Sequence, residues 1–398
     1  MAEGQRVDRW LVLVTLTLLA AGLLMVLSSS QALGYLEYSS PFYFFYRQIV
    51  WTVLAVIALA TCTRIDYHFW QRHALGLSTL MLLALLLVLV PHIGYEAYGA
   101  RRRFRVGPEL LQPAELAKLV FAILMSAWAV KRGSRIRQFR QGVVPFLALS
   151  ALLLGPVVLE KDLGSTVILG VILVSIFFAA GARVRHLAIL ALLFGAAFAL
   201  LVLAEPYRVA RLETFLHPFA NPLSTGFQST QSLLALGSGG PFGVGLGNSV
   251  QKFQWLPEAQ TDFIFAIIGE ETGLIGTTFV MVLFCGLALR GYRAALRSPD
   301  RFGSLLAVGI TSGIMSQALF NMGAVTATTP ITGVPLPLIS YGGTSLVATM
   351  AAIGVLLNIS RQGVSRGVAE ESDALVDIGR GNRRTRLSRP RSRASVLR

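Results

Sequence analysis

Long apolar runs separated by short basic segments leave this chain little choice of solvent. Leu11 to Leu27, Ala74 to Val90 and Leu187 to Leu203 are each close to the ~20 residues a helix needs to cross a ~30 Å hydrocarbon core. Of the 398 residues, 54% are hydrophobic and 14% are charged. A soluble domain carries about 25% charged residues and could not hide that much apolar surface. The expected fold class is therefore all-α, a polytopic membrane protein of about ten transmembrane helices. They are expected near 10–28, 46–63, 74–91, 114–131, 143–159, 163–181, 186–204, 262–289, 303–325 and 342–360.

The net charge of +15 sits in segments between these runs, so it reads as a topology signal rather than a nucleic-acid one. With both termini cytoplasmic, the inside segments hold Arg64 and Arg72, then Lys131 to Arg140, Arg183 and Arg185, Arg290 to Arg301, and the arginines from Arg361 onward. Outside fall Glu37, the Glu160-Lys161-Asp162 turn, a long loop at 205–261 between helices seven and eight, and the uncharged stretch 326–341. One outside segment breaks the positive-inside rule with Arg101, Arg102, Arg103 and Arg105. Phosphate is the anionic partner such a cluster calls for; lipid headgroups or a different helix count would also account for it. Two domains are expected: a membrane domain over 1–360 and a basic, disordered cytoplasmic tail over 361–398. The first apolar run exceeds the ~7–15 residue core of a signal peptide, so it is read as the first helix.

Cys62 and Cys285 offer no disulfide framework, and His68, His73, His92, His186 and His217 show no ligand spacing, so no dedicated metal cage is expected. The glycine-rich GSGGPFGVGLG at 237–247 suits close backbone approach to a phosphate or a plain turn. Asp262 stands where this loop becomes an apolar helix, either as an N-cap with Thr261 or as a carboxylate poised for base catalysis, with Glu258 four residues before it. Glu270 and Glu271 lie ~12 Å deeper along the helix, where carboxylates are costly and rarely incidental. Glu115 and Lys118 share a helix face, and Gln317 and Asn321 read as interhelical glue. From residues alone this describes a lipid-phosphate enzyme or an anionic-lipid transporter.

The motifs GARRRFRVG (99–107), LQPAELAKL (111–119), EKDLGST (160–166), YRVARLETFLHP (207–218), GFQSTQSLLALGSGGPFGVGLGNSVQKFQWLPEAQTDFIFAIIGEETGLIG (226–276) and PITGVPLPLISYGGTSL (330–346) resemble the SEDS family (shape, elongation, division and sporulation) along nearly the whole membrane portion. GNSVQK, RQIVW, RIDYHFW and the basic tail look more like its division branch than its elongation branch. The resemblance implies a peptidoglycan glycosyltransferase that polymerises Lipid II in the bacterial inner membrane, at the septum for the division branch. It also implies a class B penicillin-binding protein and other divisome proteins as partners. On matching positions it implies Asp262 as the essential carboxylate, and Arg101, Arg102, Arg105, Glu115, Lys118, Glu258, Ser340 and Gly342 as substrate- or pyrophosphate-binding residues. It leaves room for a divalent cation, Mg2+ or Mn2+. Two departures stand out: Arg103 where a Trp is common and Gln260 where a His is common. Gln254 also stands near a position often acidic in division-type chains. Rival readings are a Lipid II flippase, which needs polar groups through the bundle to the other face, and a scaffold that only activates the penicillin-binding protein.

Overall fold

The computed structural model describes residues 7–384 except 98–99, 108, 218, 221–223 and 225. In chain order the elements are α1 (Arg9–Tyr38), α2 (Tyr43–Arg64), α3 (Tyr67–Val88), β1 (Gly94–Ala97), β2 (Ala100–Val106), β3 (Glu109–Leu111), α4 (Pro113–Arg132), α5 (Val144–Leu159) and α6 (Leu163–Ala179). They continue with α7 (Val184–Leu203), α8 (Pro206–Leu216), α9 (Phe227–Gly239), α10 (Ile264–Leu296), α11 (Arg301–Val325) and α12 (Gly343–Arg384). Among the described residues nine helices are long and apolar enough to span a membrane, and α6, at 17 residues, is a shorter apolar tenth.

Helix starts follow local capping chemistry. Asp8, Asp66, Asp162 and Asp300 each accept backbone N–H bonds at the first turns of α1, α3, α6 and α11. Pro113 opens α4, where its missing N–H costs nothing. At the bundle end opposite the strands, Asp8 also takes a bidentate bond from Arg290, pinning the start of α1 to α10.

The bundle centre is α4, α6, α11 and α12. Gly309 and Gly313, one turn apart on α11, face Ile176 and Ile172 of α6; an added Cβ would come within 2.6 and 2.8 Å of those side chains. Small residues here let the two backbones close up, the usual device for helix packing without a hydrophobic driving force. The outer surface carries Leu75, Leu80, Val184, Leu192, Leu200 and Leu289, all exposed. A water-facing surface would not present that many, and lipid accounts for them.

The structure departs from the expected layout in several places. The arginine segment forms a three-stranded antiparallel sheet, β1-β2-β3, added to the otherwise helical fold. The 205–261 loop holds two short helices, α8 and α9. Helix α12 runs on to Arg384 where disordered chain was expected from 361; Ala, Glu and Leu between 368 and 375 favour helix, and 385–398 lie outside the described residues. Helix α10 is kinked at Gly273, whose φ of 67° lies in the left-handed region that glycine tolerates.

Candidate active site

At the strand-bearing end, three segments distant in sequence converge on Asp262. The stretch 326–341 folds back beneath it. Asn321 Nδ2, on α11, donates to the Asp262 carbonyl at 2.7 Å and to the Val334 carbonyl at 2.8 Å. Ser340 Oγ donates to the Thr261 carbonyl at 2.5 Å, while Tyr341 N donates to the Gln260 carbonyl at 2.9 Å. One turn earlier on α11, Gln317 Nε2 donates to the Pro335 carbonyl and its Oε1 accepts from Lys118 Nζ at 2.7 Å. Lys118 is in turn paired with Glu115 at 2.6 Å, within the bundle. Glu115, Lys118, Gln317, Asn321 and Ser340 thus form a scaffold that fixes the backbone on either side of Asp262.

Asp262 does not cap α10: the cap position is Phe263, with no side-chain capping bond. Its half-buried carboxyl accepts no hydrogen bond from the described residues and lines a cavity. Gly333 lies against it with φ +70°, and a Cβ there would sit 3.4 Å from Asp262 Oδ2. Enclosure by the surrounding chain pushes the Asp262 carboxyl up, and the nearby Glu258 charge pushes the same way. Arg103, Arg211 and Arg102 oppose them, and the balance is about 6. Glu258 itself is exposed and held by Thr261 Oγ1 at 2.8 Å.

The cavity is about 2170 Å3 in volume. Its walls carry Arg102 and Arg103 from β2, Lys161 from the turn after α5, and Arg208 and Arg211 from α8, of which Arg103, Arg211 and Arg102 act on the Asp262 charge. Arg211 donates to the Ile331 carbonyl at 2.9 Å, and Lys161 pairs with Glu205 at 3.0 Å. Away from these cations the cavity becomes an apolar groove between α5, α6 and α7. From Leu187 to Val202 on α7 it runs ~22 Å at 1.5 Å rise per residue, most of a ~30 Å hydrocarbon core.

Not every expected site residue faces this space. Glu258, Asp262, Arg102, Glu115 and Gly342 line it. Arg101 does not, because it pairs at 2.8 Å with Glu96, opposite it across the hairpin. Arg105 also lies outside the lining, with its guanidinium 5.7 Å over the Tyr95 ring. Lys118 sits behind Glu115, and Ser340 acts as a strut. Arg103 lines the cavity too, as do Lys161, Arg208 and Arg211, none of which is among the binding residues the resemblance implies. The signal for the last two was present: Pro206 at a helix start, then Arg208 and Arg211 three residues apart on one face.

Glu270 and Glu271 are spent elsewhere. Ser249 Oγ and Val250 N donate to Glu270, while Ser28 Oγ at 2.6 Å and Lys252 Nζ at 3.2 Å donate to Glu271. They clamp the 244–253 turn onto α1 and α10. Near the cavity wall, Glu160 is fully buried, and neither oxygen has a hydrogen-bond partner among the described residues. Burial, then the Asp162 charge, push its carboxyl to about 9, against Arg102. No group of three or more His, Cys, Asp or Glu among the described residues could hold a metal ion.

The family described as "Cell cycle protein", which groups FtsW, RodA and SpoVE, matches residues 9–364. Stage V sporulation protein E of Bacillus subtilis is 43% identical over 89% of this chain and 97% of its own length. A protein named probable peptidoglycan glycosyltransferase FtsW from Geobacter metallireducens is 40% identical over 90% of this chain and 96% of its own. Among solved structures, one described as structural coordination of polymerization and crosslinking by a peptidoglycan synthase complex matches with a TM-score of 0.73 and 26% identity, covering 90% of this chain and 98% of that one. The rod shape determining protein RodA of Thermus thermophilus matches with a TM-score of 0.66 and 27% identity, covering 89% and 97%.

Proposed function

The chain belongs to the FtsW, RodA and SpoVE family, and from that premise we propose that it is a peptidoglycan glycosyltransferase polymerising Lipid II into β-1,4 glycan strands, with Asp262 as general base. One observation carries the assignment of the base. Asp262 is a carboxylate that takes no hydrogen bond from the described residues, clamped through its backbone, at the junction of a cation-lined chamber and an apolar groove. Its titration near 6 leaves it ionised at neutral pH yet basic enough to accept a proton.

In the reaction Asp262 takes the proton from the GlcNAc 4-hydroxyl of an incoming Lipid II. That oxygen attacks the anomeric carbon of the strand's terminal MurNAc from the face opposite the leaving group. The C–O bond to the pyrophosphate breaks with its electron pair, undecaprenyl pyrophosphate departs, and the α-linked donor becomes a β-1,4 linkage. Arg102, Arg103, Arg208, Arg211 and Lys161 supply positive potential where the leaving group gathers charge, and the groove along α5 to α7 takes a polyprenyl tail. No nucleotide sugar is required, because the donor arrives activated. A divalent cation, Mg2+ or Mn2+, carried in on the substrate phosphates would add Lewis-acid stabilisation of the pyrophosphate. The site end faces the extracytoplasmic side of the bacterial inner membrane. A class B penicillin-binding protein is the partner, with other divisome proteins at the septum if the role matches that of the FtsW-named relatives.

The test is polymerisation of purified Lipid II by the chain with its class B partner, wild type against Asp262→Asn at matched folding and partner binding. Long strands from the wild type and none from the variant are expected. Strands from Asp262→Asn would sink the base assignment, and transbilayer movement of Lipid II without polymer would favour a flippase.

A further inference from the structure

At the bundle end opposite the strands, the turn from α4 to α5 meets the turn from α6 to α7. The first is folded rather than slack. A 3-10 turn (Gly133–Arg137) runs into a π turn (Phe139–Val143), Ile136 is buried, and a Cβ on Gly142 would stand 2.2 Å from the Ile136 carbonyl oxygen. Two contacts join it to the second turn. The Arg137 guanidinium lies 3.9 Å from where a Cβ on Gly181 would sit, and the Phe139 ring meets that of His186 at 6.1 Å between centroids. Arg137, Arg140, Arg183 and Arg185 are thereby gathered at one corner of the bundle, all four exposed.

No carboxylate answers them. Residues 131–144 and 180–189 contain neither Asp nor Glu, and none of the four arginines makes an ion pair with a described residue. The other turns at this end are built differently: Arg290 is paired with Asp8, and His68 joins Asp66 to Asp300 across the α2–α3 and α10–α11 turns. His186, one turn along α7 from Arg183, is buried, and its Nδ1 has no hydrogen-bond partner among the described residues, which is rare for a buried polar atom. Around the cations the surface is apolar, with Phe139, Val144 and Val184 exposed at 48%, 48% and 75%. Free phosphate has no use for such a rim. A ligand with phosphate at one end and acyl chains at the other uses both, and basic pockets between membrane helices suit it.

We propose that this corner is a binding site for one anionic glycerophospholipid of the adjoining leaflet, its phosphate on Arg137, Arg140, Arg183 and Arg185 and its acyl chains against Phe139, Val144 and Val184. A lipid with two phosphodiesters fits best, because both turns contribute cations. The site stands apart from Asp262 and from the reaction assigned to it, so the polymerase reading and this one fail separately; the leaflet is the cytoplasmic one under the orientation proposed above. A headgroup shared between the turns fastens the start of α7, a helix exposed along most of its length, to the α4–α5 turn. Helix α7 walls the apolar groove, so the bound lipid restricts where that wall can stand.

Native mass spectrometry of the full, delipidated chain released from detergent micelles reads the site without requiring catalysis. The probes are diphosphatidylglycerol, phosphatidylglycerol and phosphatidylethanolamine with matched acyl chains. The wild type is expected to hold one diphosphatidylglycerol about tenfold or more tighter than phosphatidylethanolamine, with phosphatidylglycerol between them. The triple variant Arg137→Gln, Arg183→Gln, Arg185→Gln is expected to lose that preference. The triple variant Arg293→Gln, Arg297→Gln, Arg301→Gln removes the same charge from another turn at the same end and is expected to keep it. All six side chains are exposed, so folding is not at stake. No preference in the wild type, or equal loss in both triple variants, overturns the site and leaves only the diffuse attraction of a basic surface for anionic lipid. Displacement of the lipid by millimolar inorganic phosphate overturns it in favour of a simple anion site. Undecaprenyl phosphate held more tightly than diphosphatidylglycerol by the same three arginines overturns it in favour of a site for a polyprenyl carrier.

Discussion

If Asp262 is the base, the acid limb of the pH–rate profile is set by its neighbours, and removing one of them should move that limb in a calculable direction. In the wild type, burial and Glu258 raise the Asp262 carboxyl while Arg103, Arg211 and Arg102 lower it, with a balance of about 6. An ideal one-proton titration then leaves about nine-tenths of the base ionised at pH 7 and about one-tenth at pH 5. Glu258→Gln removes one raising charge and leaves all three arginines, so the midpoint falls toward the ordinary ~3.9 of an aspartate. A drop of about one unit, ~1.4 kcal/mol, raises the ionised fraction at pH 5 to about half. The rate at pH 5 relative to the plateau should then rise about fivefold, with no titration contribution left at pH 8. Arg103→Gln should do the reverse and carry the loss up toward pH 7. The assay is the initial rate of Lipid II polymerisation, measured by product length on gels from pH 4.5 to 8.5 with the partner present. A Glu258→Gln midpoint at or above that of the wild type would refute the reasoning, because no arrangement of these charges gives that sign.

The scaffold around the base offers a second expectation. Asn321→Ala removes both bonds that hold the Asp262 and Val334 carbonyls, leaving buried acceptors at about 1–3 kcal/mol apiece, so kcat should fall at least tenfold while KM changes little; a KM-only effect would count against a positioning role. The Lys252–Glu271 pair is fully buried, so Lys252→Met should destabilise by about 3–5 kcal/mol and open the 244–253 turn to hydrogen exchange. The double variant Lys252→Met with Glu271→Leu should recover much of that loss; equal exchange in both would contradict the clamp.

The helices were legible because the bilayer imposes one rule on all of them, a run of apolar residues near 20 long, and α2, α4, α5 and α11 begin or end within a few residues of where that rule puts them. The hairpin was not. Its central strand is ARRRFRV, with little β-branched or alternating apolar character, and it is a strand because β1 and β3 pair with it between α3 and α4. Helices α8 and α9 were hidden by the glycines and prolines around them, which read locally as loop. At the site, Asp262 and Arg102 stood out through motif position and chemistry. The spacing of Arg208 and Arg211 puts them on one helix face, but that this face meets the same cavity is a tertiary fact. Glu270 and Glu271 carried a true signal, costly carboxylates, but their partners Ser28, Ser249 and Lys252 are tertiary neighbours.

Helix α7 is exposed along most of its length while its inner residues wall the groove. A reactant that keeps its tail in the membrane therefore reaches the chamber sideways and is never pulled into water. Its supply is two-dimensional: the quantity that sets occupancy is the number of substrate molecules per unit of bilayer area. Diluting proteoliposomes in buffer should leave turnover per enzyme unchanged, whereas adding inert lipid at constant bulk substrate should slow it. For such an enzyme a Michaelis constant is properly a mole fraction, and crowding within the leaflet becomes part of its kinetics.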